Sequence, residues 1–388
     1  MHVCMLAYTF YDSDNRVRRY AETLARRGDK VDVIALRSSS NAKMEIINNV
    51  RVFRIQKRVV NETGPLSYLT RLLRFFFRSM FFLAAQELRE HYDLIHVHSV
   101  PDFEVFAACF PKLRGAKLIL DIHDLVPEFY ASKFKTAANS RVKRLLILTE
   151  RLSAGFADHV IAANDLWCKK LSARSVKDGK CTTILNYPDR AIFSRCGRPR
   201  RDQKFIMLYP GTLSYHQGLD IAIRALARIK DQVPDAELHI YGSGDQLNYL
   251  SSLTSGLGLE GRVRFRKVVP LTEMARIMEN ADLGIVPKRT DGFGNEAFST
   301  KILEFMALGV PVIVSDSAID RYYFNDSVVK FFRGNDDRDL AQSMLDLIQD
   351  PERRERQVKH ANEFIKKFDW DVWKHEYLEL VDTSVRSA

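Results

Sequence analysis

The sequence predicts an α/β protein made of two doubly wound, parallel-sheet domains. Three observations carry this expectation. Short β-rich runs alternate with helical patterns through both halves of the chain, as they do where helices serve as the crossovers of parallel sheets. A polar, basic stretch at 195–204, RCGRPRRDQK, stands between two such series and reads as solvated linker. The length of 388 residues suits two domains, each with its own core.

Composition narrows the class further. A hydrophobic content of 46% excludes a disordered chain. The net charge of +10 points to anionic partners, of which nucleic acid, anionic lipid headgroups and polyanionic small molecules are the choices. No nucleic-acid-binding module is present, so nucleic acid is not expected. Cys4, Cys109, Cys168, Cys181 and Cys196 are odd in number, scattered and without C-x-x-C spacing, which indicates neither a disulfide framework nor a zinc site. A cytoplasmic setting is expected. MHVCMLAYTF has no basic region before it and no small-residue cleavage site, and reads as a first strand. No apolar run approaches the roughly 18 residues of a membrane span.

The first half opens as βαβ, with strands at 2–8 and 31–36 around a helix that stops on Gly28. Its first β-to-α loop, TFYDSDNR, is polar, and offers Asp12, Asp14 and Arg16 either to solvent or to a ligand. A strand at 50–55 leads to the helix at 68–89, YLTRLLRFFFRSMFFLAAQELR. At about 100° per residue, Leu69, Leu72, Leu73, Phe76, Met80 and Leu83 share one face, and Arg71, Arg74 and Arg78 fall opposite. Phe75, Phe81 and Phe82 flank the arginines. That pattern fits a helix resting on an anionic membrane, and equally a core helix with a solvated basic face.

Strands at 93–98 and 117–122 follow, the second running into His123-Asp124 at the carboxyl end, where open sheets bind ligands. His96 and His98 alternate on one strand with no ligand set, and read as structural. A helix at 140–156 and strands at 159–164 and 181–188 complete this half. The second half repeats the alternation, with strands at 205–211, 236–244, 262–267, 282–288, 310–315 and 328–332. Gly211 and Thr212 end the first of these, and Gly242 and Gly244 the second, where a nucleotide can approach the backbone closely. The tail FDWDVWKHEYLELVD (368–382) is an amphipathic helix with Trp370, Trp373 and Tyr377 on one face.

The most informative stretch is 288–316, KRTDGFGNEAFSTKILEFMALGVPVIVSD. A helix starting near Ser299 or Thr300 runs through Leu308 and stops at Gly309, with Pro311 blocking continuation and a strand following at once. Its N-terminus therefore faces the carboxyl edge of the sheet. There the N–H groups of Phe298, Ser299 and Thr300, the helix dipole and Lys301 suit a diphosphate. Glu304, one turn inside, leans back toward the N-terminus and can take both hydroxyls of a ribose, while Glu296 can accept from sugar hydroxyls.

Glu296, seven intervening residues and Glu304, followed by FMALGVPVIVSD, resemble the E-x7-E signature of the retaining glycosyltransferases of family 4. The resemblance implies the GT-B fold, with two Rossmann-like domains facing across a cleft. Residues 1–187 would bind the acceptor and 188–367 the nucleotide sugar, with helix 368–388 either crossing back to the first domain or packing on the second. D-I-H-D resembles the place where the family puts a histidine beside the donor sugar, which assigns His123 with Glu296 to the sugar. Asn186, Asp189 and Phe193 match the family's hinge turn, and RFRKVVP its base-binding loop, giving Lys267 and Val268.

Two positions depart from the pattern. Where the family often has arginine and lysine to neutralise the diphosphate, this chain has Thr212 and Gln217. Lys301 is the first candidate to replace them and Arg289 the second.

The implied reaction is metal-independent transfer, with retention, from a UDP- or GDP-sugar to a hydroxyl of a glycan or lipid-linked saccharide in surface polysaccharide biosynthesis. No cofactor is expected, and no D-x-D pair stands at a plausible diphosphate position. The enzyme would work in the cytoplasm, at the inner membrane face if Arg71, Arg74, Phe75, Arg78 and Phe82 contact lipid or acceptor. A nucleotide-sugar epimerase of the same fold, and a non-catalytic nucleotide-sugar-binding subunit of an assembly complex, remain open alternatives.

Overall fold

Runs such as HVCMLA and LIHVH are buried along almost their whole length, as strands covered by helices on both sides must be. The computed structural model of the chain describes residues 1–38, 41–58, 65–134, 140–195, 197 and 204–386. Cys196 and most of the basic stretch at 195–204 lie outside the described residues. The chain forms two units, one of Met1–Asn186 with Trp373–Ala388, the other of Tyr187–Val372.

In the first unit the strands are β1 (His2–Ala7), β2 (Lys30–Arg37), β3 (Met44–Ile47), β4 (Val50–Lys57), β5 (Leu94–His98), β6 (Lys117–Ile122), β7 (His159–Ala162) and β8 (Cys181–Thr183). Their order in the sheet is β3-β4-β2-β1-β5-β6-β7-β8. Only β3 is antiparallel, paired with β4 through Asn48 and Asn49, whose φ of 50 and 65 suit a two-residue hairpin turn. This exposed edge strand is absent from the sequence reading. Because β2 and β5 lie on opposite sides of β1, the order reverses there, and a crevice opens at the carboxyl ends of β1 and β5.

The helix Pro65–Glu87 forms close to where expected, with Leu72 and Leu83 buried and Arg74 and Arg78 exposed as read, but its buried line is shifted around the helix. Leu72, Phe75, Ser79 and Leu83 form the buried line, with Phe75 fully buried edge-on to Tyr8 at 5.1 Å and Phe82 half-buried against Phe53 at 5.0 Å. Leu69 and Leu73, expected in the core, are exposed with Phe77 and Phe81. The cause is that the helix is apolar nearly all round, so neighbouring rings and not periodicity choose the face. No helix among the described residues is long and apolar enough to cross a membrane.

The C-terminal helix Trp370–Arg386 enters the first unit from Trp373 onward. Tyr377 is fully buried there, stacked on Tyr20 at 4.2 Å, and Asp382 pairs with Arg27 at 2.7 Å.

The second unit is a wholly parallel sheet of β9 (Phe205–Pro210), β10 (Ala236–Tyr241), β11 (Val263–Arg266), β12 (Leu283–Val286), β13 (Val312–Ser315) and β14 (Lys330–Phe332). The order β11-β10-β9-β12-β13-β14 reverses between β9 and β12. Alternate residues serve two cores. Met207, Tyr209 and Ile313 face one, while Leu208, Val312 and Val314 face the other, which Ile302, Leu303, Phe305 and Met306 of the helix Thr300–Ala307 complete. Gly284 on β12 lets this helix sit close, since a Cβ there would lie 2.6 Å from the Phe305 ring. The helix is thereby seated at the β9/β12 reversal, where the ligand crevice of such a sheet lies.

Candidate active site

The helix Thr300–Ala307 ends against Gly309 at φ +68, before β13, and its N-terminus meets the loop 292–299 at the carboxyl edge. Ser299 is the N-cap but makes no side-chain cap bond. Among the described residues nothing accepts from the amides of Phe298, Ser299 and Thr300, so these donors are open to a ligand. Phe298 is held by Tyr323, edge-on at 5.0 Å.

Lys301 lies along the end of β9. Its Nζ is 5.3 Å from the centroid of the buried Tyr209 ring, and a Cβ on Gly211 (φ +142) would be 2.5 Å from its Cε. The φ favours glycine there, and its missing side chain leaves the lysine its place. Burial brings the Lys301 ammonium down to about 8, with Glu304 opposing the shift. Burial likewise raises the Glu304 carboxyl to about 7, with Lys301 opposing. An ammonium and a carboxylate one turn apart are thus both poorly hydrated, a state that binding of a complementary polar ligand relieves.

Two further cations are already committed. Arg289 forms a two-pronged pair with Asp220 at 2.8 and 2.7 Å and lies over the Tyr215 ring at 4.2 Å, so a phosphate would compete with Asp220 for it. This partner lies 69 residues away and leaves no local sign in the chain. Lys288, just past β12, is buried, donating to the Ala297 carbonyl at 2.6 Å and pairing with buried Asp320 at 3.0 Å. It secures the loop that carries Glu296 and Phe298, and was missed because it reads as the end of a strand. His216 was also missed. Burial first, then Lys301 and Lys288, lower its imidazole to about 4, leaving it neutral at the place where Gln217 stands for a lysine.

Thr212 is exposed and its carbonyl accepts from the Tyr209 hydroxyl at 3.0 Å. At Gly242 and Gly244 the missing side chains make space for protein backbone. A Cβ on them would lie 1.8 Å from the Gly211 carbonyl oxygen and 2.2 Å from that of Leu213. Lys267 and Val268 are exposed just beyond β11.

In the first unit, a cavity of about 250 Å³ opens at the β1/β5 reversal, lined by Thr9, Asp14, Arg58, Tyr68, His98, His123 and Asp124 among others. Burial pushes the Asp124 carboxyl up to about 6. The loop expected to offer Asp12, Asp14 and Arg16 spends them internally. Asp12 pairs with Arg54, Asp14 caps the helix Asn15–Arg27, and buried Arg16 turns inward to Asp121.

His96 and His98 are not without a companion ligand type, because β6 sets Asp121 beside His98. The three offer ligand atoms within 4.8 Å of one another. Asp121 is already neutralised by the Arg16 guanidinium, whose charge opposes a cation there, so we assign no metal to this cluster.

Two family models match almost end to end along the chain: "Glycosyl transferase 4-like domain" over residues 13–186 and "Glycosyl transferases group 1" over residues 194–364. The chain belongs to the group 1, family 4 glycosyltransferases of GT-B fold.

A phosphatidyl-myo-inositol mannosyltransferase of Mycolicibacterium smegmatis is 24% identical over 300 residues, 75% of this chain and 71% of that protein. Among solved structures, the sucrose-phosphate synthase of Thermosynechococcus elongatus superposes with a TM-score of 0.82 at 18% identity, covering 100% of both chains. Anabaena HepE in complex with UDP-glucose does so with a TM-score of 0.73 at 16% identity, covering 99% of this chain and 100% of that one. Both share the fold.

Proposed function

We propose that this glycosyltransferase takes a UDP- or GDP-sugar as donor and transfers its sugar, with retention and without a metal, to a hydroxyl of a glycan or lipid-linked saccharide in surface polysaccharide biosynthesis. One observation carries the donor assignment. At the sheet reversal of the second unit, three open amides, Lys301 and Glu304 converge at one helix N-terminus, the charge pattern of a nucleoside diphosphate. The UDP-glucose held by HepE supports the ligand class.

In the transfer, the bond between the anomeric carbon and the diphosphate oxygen breaks. The acceptor oxygen bonds on the same face, and its proton leaves with the diphosphate. The amides and Lys301 stabilise charge that grows on the leaving group, which is catalysis by preorganised electrostatics. Glu296, and in the first unit His123, are the residues we assign to sugar hydroxyls. An epimerase or a silent binding subunit is not favoured.

The test is a thermal-shift panel of UDP-, GDP- and ADP-sugars on wild type and Glu304→Ala. One nucleotide class should stabilise the wild type and lose that effect in the variant, because a ligand that binds only the folded state raises its melting point. No shift with any of them would refute the donor assignment.

The lipid-linked acceptor and membrane attachment draw on the helix Pro65–Glu87, although not on the face expected. Leu69, Leu73, Phe77 and Phe81 recur every fourth residue, are 40 to 69% exposed, and lie beside exposed Arg74 and Arg78. The helix Arg141–Phe156 likewise exposes Leu145, Leu148 and Leu152 among Arg141, Arg144 and Arg151. Both helices pack on the segment Asp102–Ala108, through Phe76–Phe103 at 5.8 Å and Phe156–Phe106 at 5.1 Å. Apolar stripes rimmed by arginines fit the surface of an anionic bilayer. Phe77→Glu/Phe81→Glu should cut partitioning onto phosphatidylglycerol vesicles by at least about tenfold, and unchanged partitioning refutes the surface.

A further inference from the structure

Asp121 is the first aspartate of D-I-H-D, and neither the motif nor the proposed reaction gives it a role. It is wholly buried at the end of β6. Burial is the largest single influence and would raise its carboxyl, but Arg16, His123 and His98 together outweigh it and hold the group well below the usual carboxylate range. Arg16 reaches it with two donors, Nε to Oδ2 at 2.7 Å and Nη2 to Oδ1 at 2.8 Å, and spends Nη1 on the Ile184 carbonyl at 2.8 Å. The pair is 105 residues apart in sequence and is fixed at three points.

A carboxylate only accepts hydrogen bonds. Two imidazole nitrogens face Oδ2, His123 Nε2 at 3.3 Å and His98 Nδ1 at 3.4 Å, and these two nitrogens are 3.2 Å from each other. A lone pair on His123 Nε2 would point at an anionic oxygen and be repelled, whereas an N–H there is attracted. His98 cannot swing away to relieve the crowding, because it is stacked on His96 at 4.2 Å, and His96 Nδ1 is tied to the Tyr377 hydroxyl at 3.0 Å. The other ring nitrogen of His123, Nδ1, has no partner among the described residues, and His123 lines the cavity of the first unit.

We propose that the Arg16–Asp121 pair is a positioning device that fixes His123 as the Nε2–H tautomer, so that Nδ1 meets the substrate as a hydrogen-bond acceptor. This rests on the assignment of His123 to sugar hydroxyls. A hydroxyl donates to such a nitrogen, and a carboxylate or phosphate oxygen does not. The device therefore selects a neutral hydroxyl group of the sugar at this point over an acidic one.

The test is a two-bond ¹H–¹⁵N correlation spectrum of the full chain labelled at histidine, with the His123 signals identified by their loss in His123→Gln. In wild type the proton should sit on Nε2 and Nδ1 should show the shift of a bare nitrogen. Asp121→Asn should produce a mixture of tautomers. It should also slow hydrolysis of the nucleotide sugar chosen by the thermal-shift panel by at least about tenfold, with KM changed by less than about twofold, the pattern of a lost interaction made in the transition state.

A wild-type His123 protonated on Nδ1, or an Asp121→Asn protein that keeps a pure Nε2–H form, overturns the proposal. If the asparagine variant does not fold, the wild-type spectrum still decides. Should His123→Gln leave turnover unchanged, the sugar-contacting role of His123 fails, which is a separate result from the tautomer.

Discussion

Lys301→Ala is expected to lower kcat/KM for the nucleotide sugar by about 10²- to 10³-fold, the usual cost of deleting one donor aimed at developing negative charge. The expectation follows from where the other cations of the second unit are spent. Thr212 and Gln217 stand where the family often has arginine and lysine, Arg289 is clamped by Asp220, and Lys288 is buried with Asp320. Lys301 makes no ion pair among the described residues and lies at the helix end where the amides are open. Arg289→Ala should therefore change kcat/KM by less than about fivefold, since it removes a charge already balanced.

The pH profile supplies an internal check on the same residue. The Lys301 ammonium, lowered to about 8 by burial, loses its charge as pH rises through that value, so kcat/KM should fall on the alkaline side. Glu304, raised to about 7 by burial, loses its charge as pH falls, which sets the acid limb. Lys301→Arg should retain much of the activity and remove the alkaline limb, because a guanidinium stays charged throughout. An alanine variant with unchanged kcat/KM for the nucleotide sugar would end the assignment.

What could be seen from the sequence was periodic or local. The alternation of strands and helices showed two parallel sheets, and the stop at Gly309 with a strand close behind showed which edge the site helix faces. What could not be seen was pairing at a distance. Arg16 looks like part of a polar loop until β6 brings Asp121 to it, and Lys288 looks like a strand end until Asp320 and the Ala297 carbonyl surround it.

The helix Pro65–Glu87 failed for the opposite reason. With phenylalanines on every side, its pattern fits several faces equally, and only the Tyr8, Phe53 and Phe103 rings select one. The edge strand β3 did carry a signal, since consecutive asparagines at 48 and 49 are a hairpin turn pair. Glycines were legible as close approaches but not as to what approaches. At 242 and 244 it is backbone, and at 211 it is a lysine.

Lys288→Met is expected to destabilise the second unit by about 3–5 kcal/mol, because it leaves Asp320 as an uncompensated buried charge. For a unit of this size that corresponds to a fall in Tm of roughly 6 to 20 °C. Lys288 is 2% exposed and Asp320 0%, so solvent cannot take over from the lost partner. Burial lowers the Lys288 ammonium, and Asp320 opposes that shift, so each charge depends on the other.

The double variant Lys288→Met/Asp320→Leu should recover most of the Tm, as well-packed apolar replacements of buried pairs do. It should not recover donor binding. Lys288 is also the donor to the Ala297 carbonyl, directly before the open amides, and without it the loop carrying Glu296 and Phe298 loses its tie to the end of β12. Stability and donor KM are therefore expected to separate in this one protein. A double variant with both restored to wild-type values would show that the buried pair holds the fold and has no part in aiming the amides.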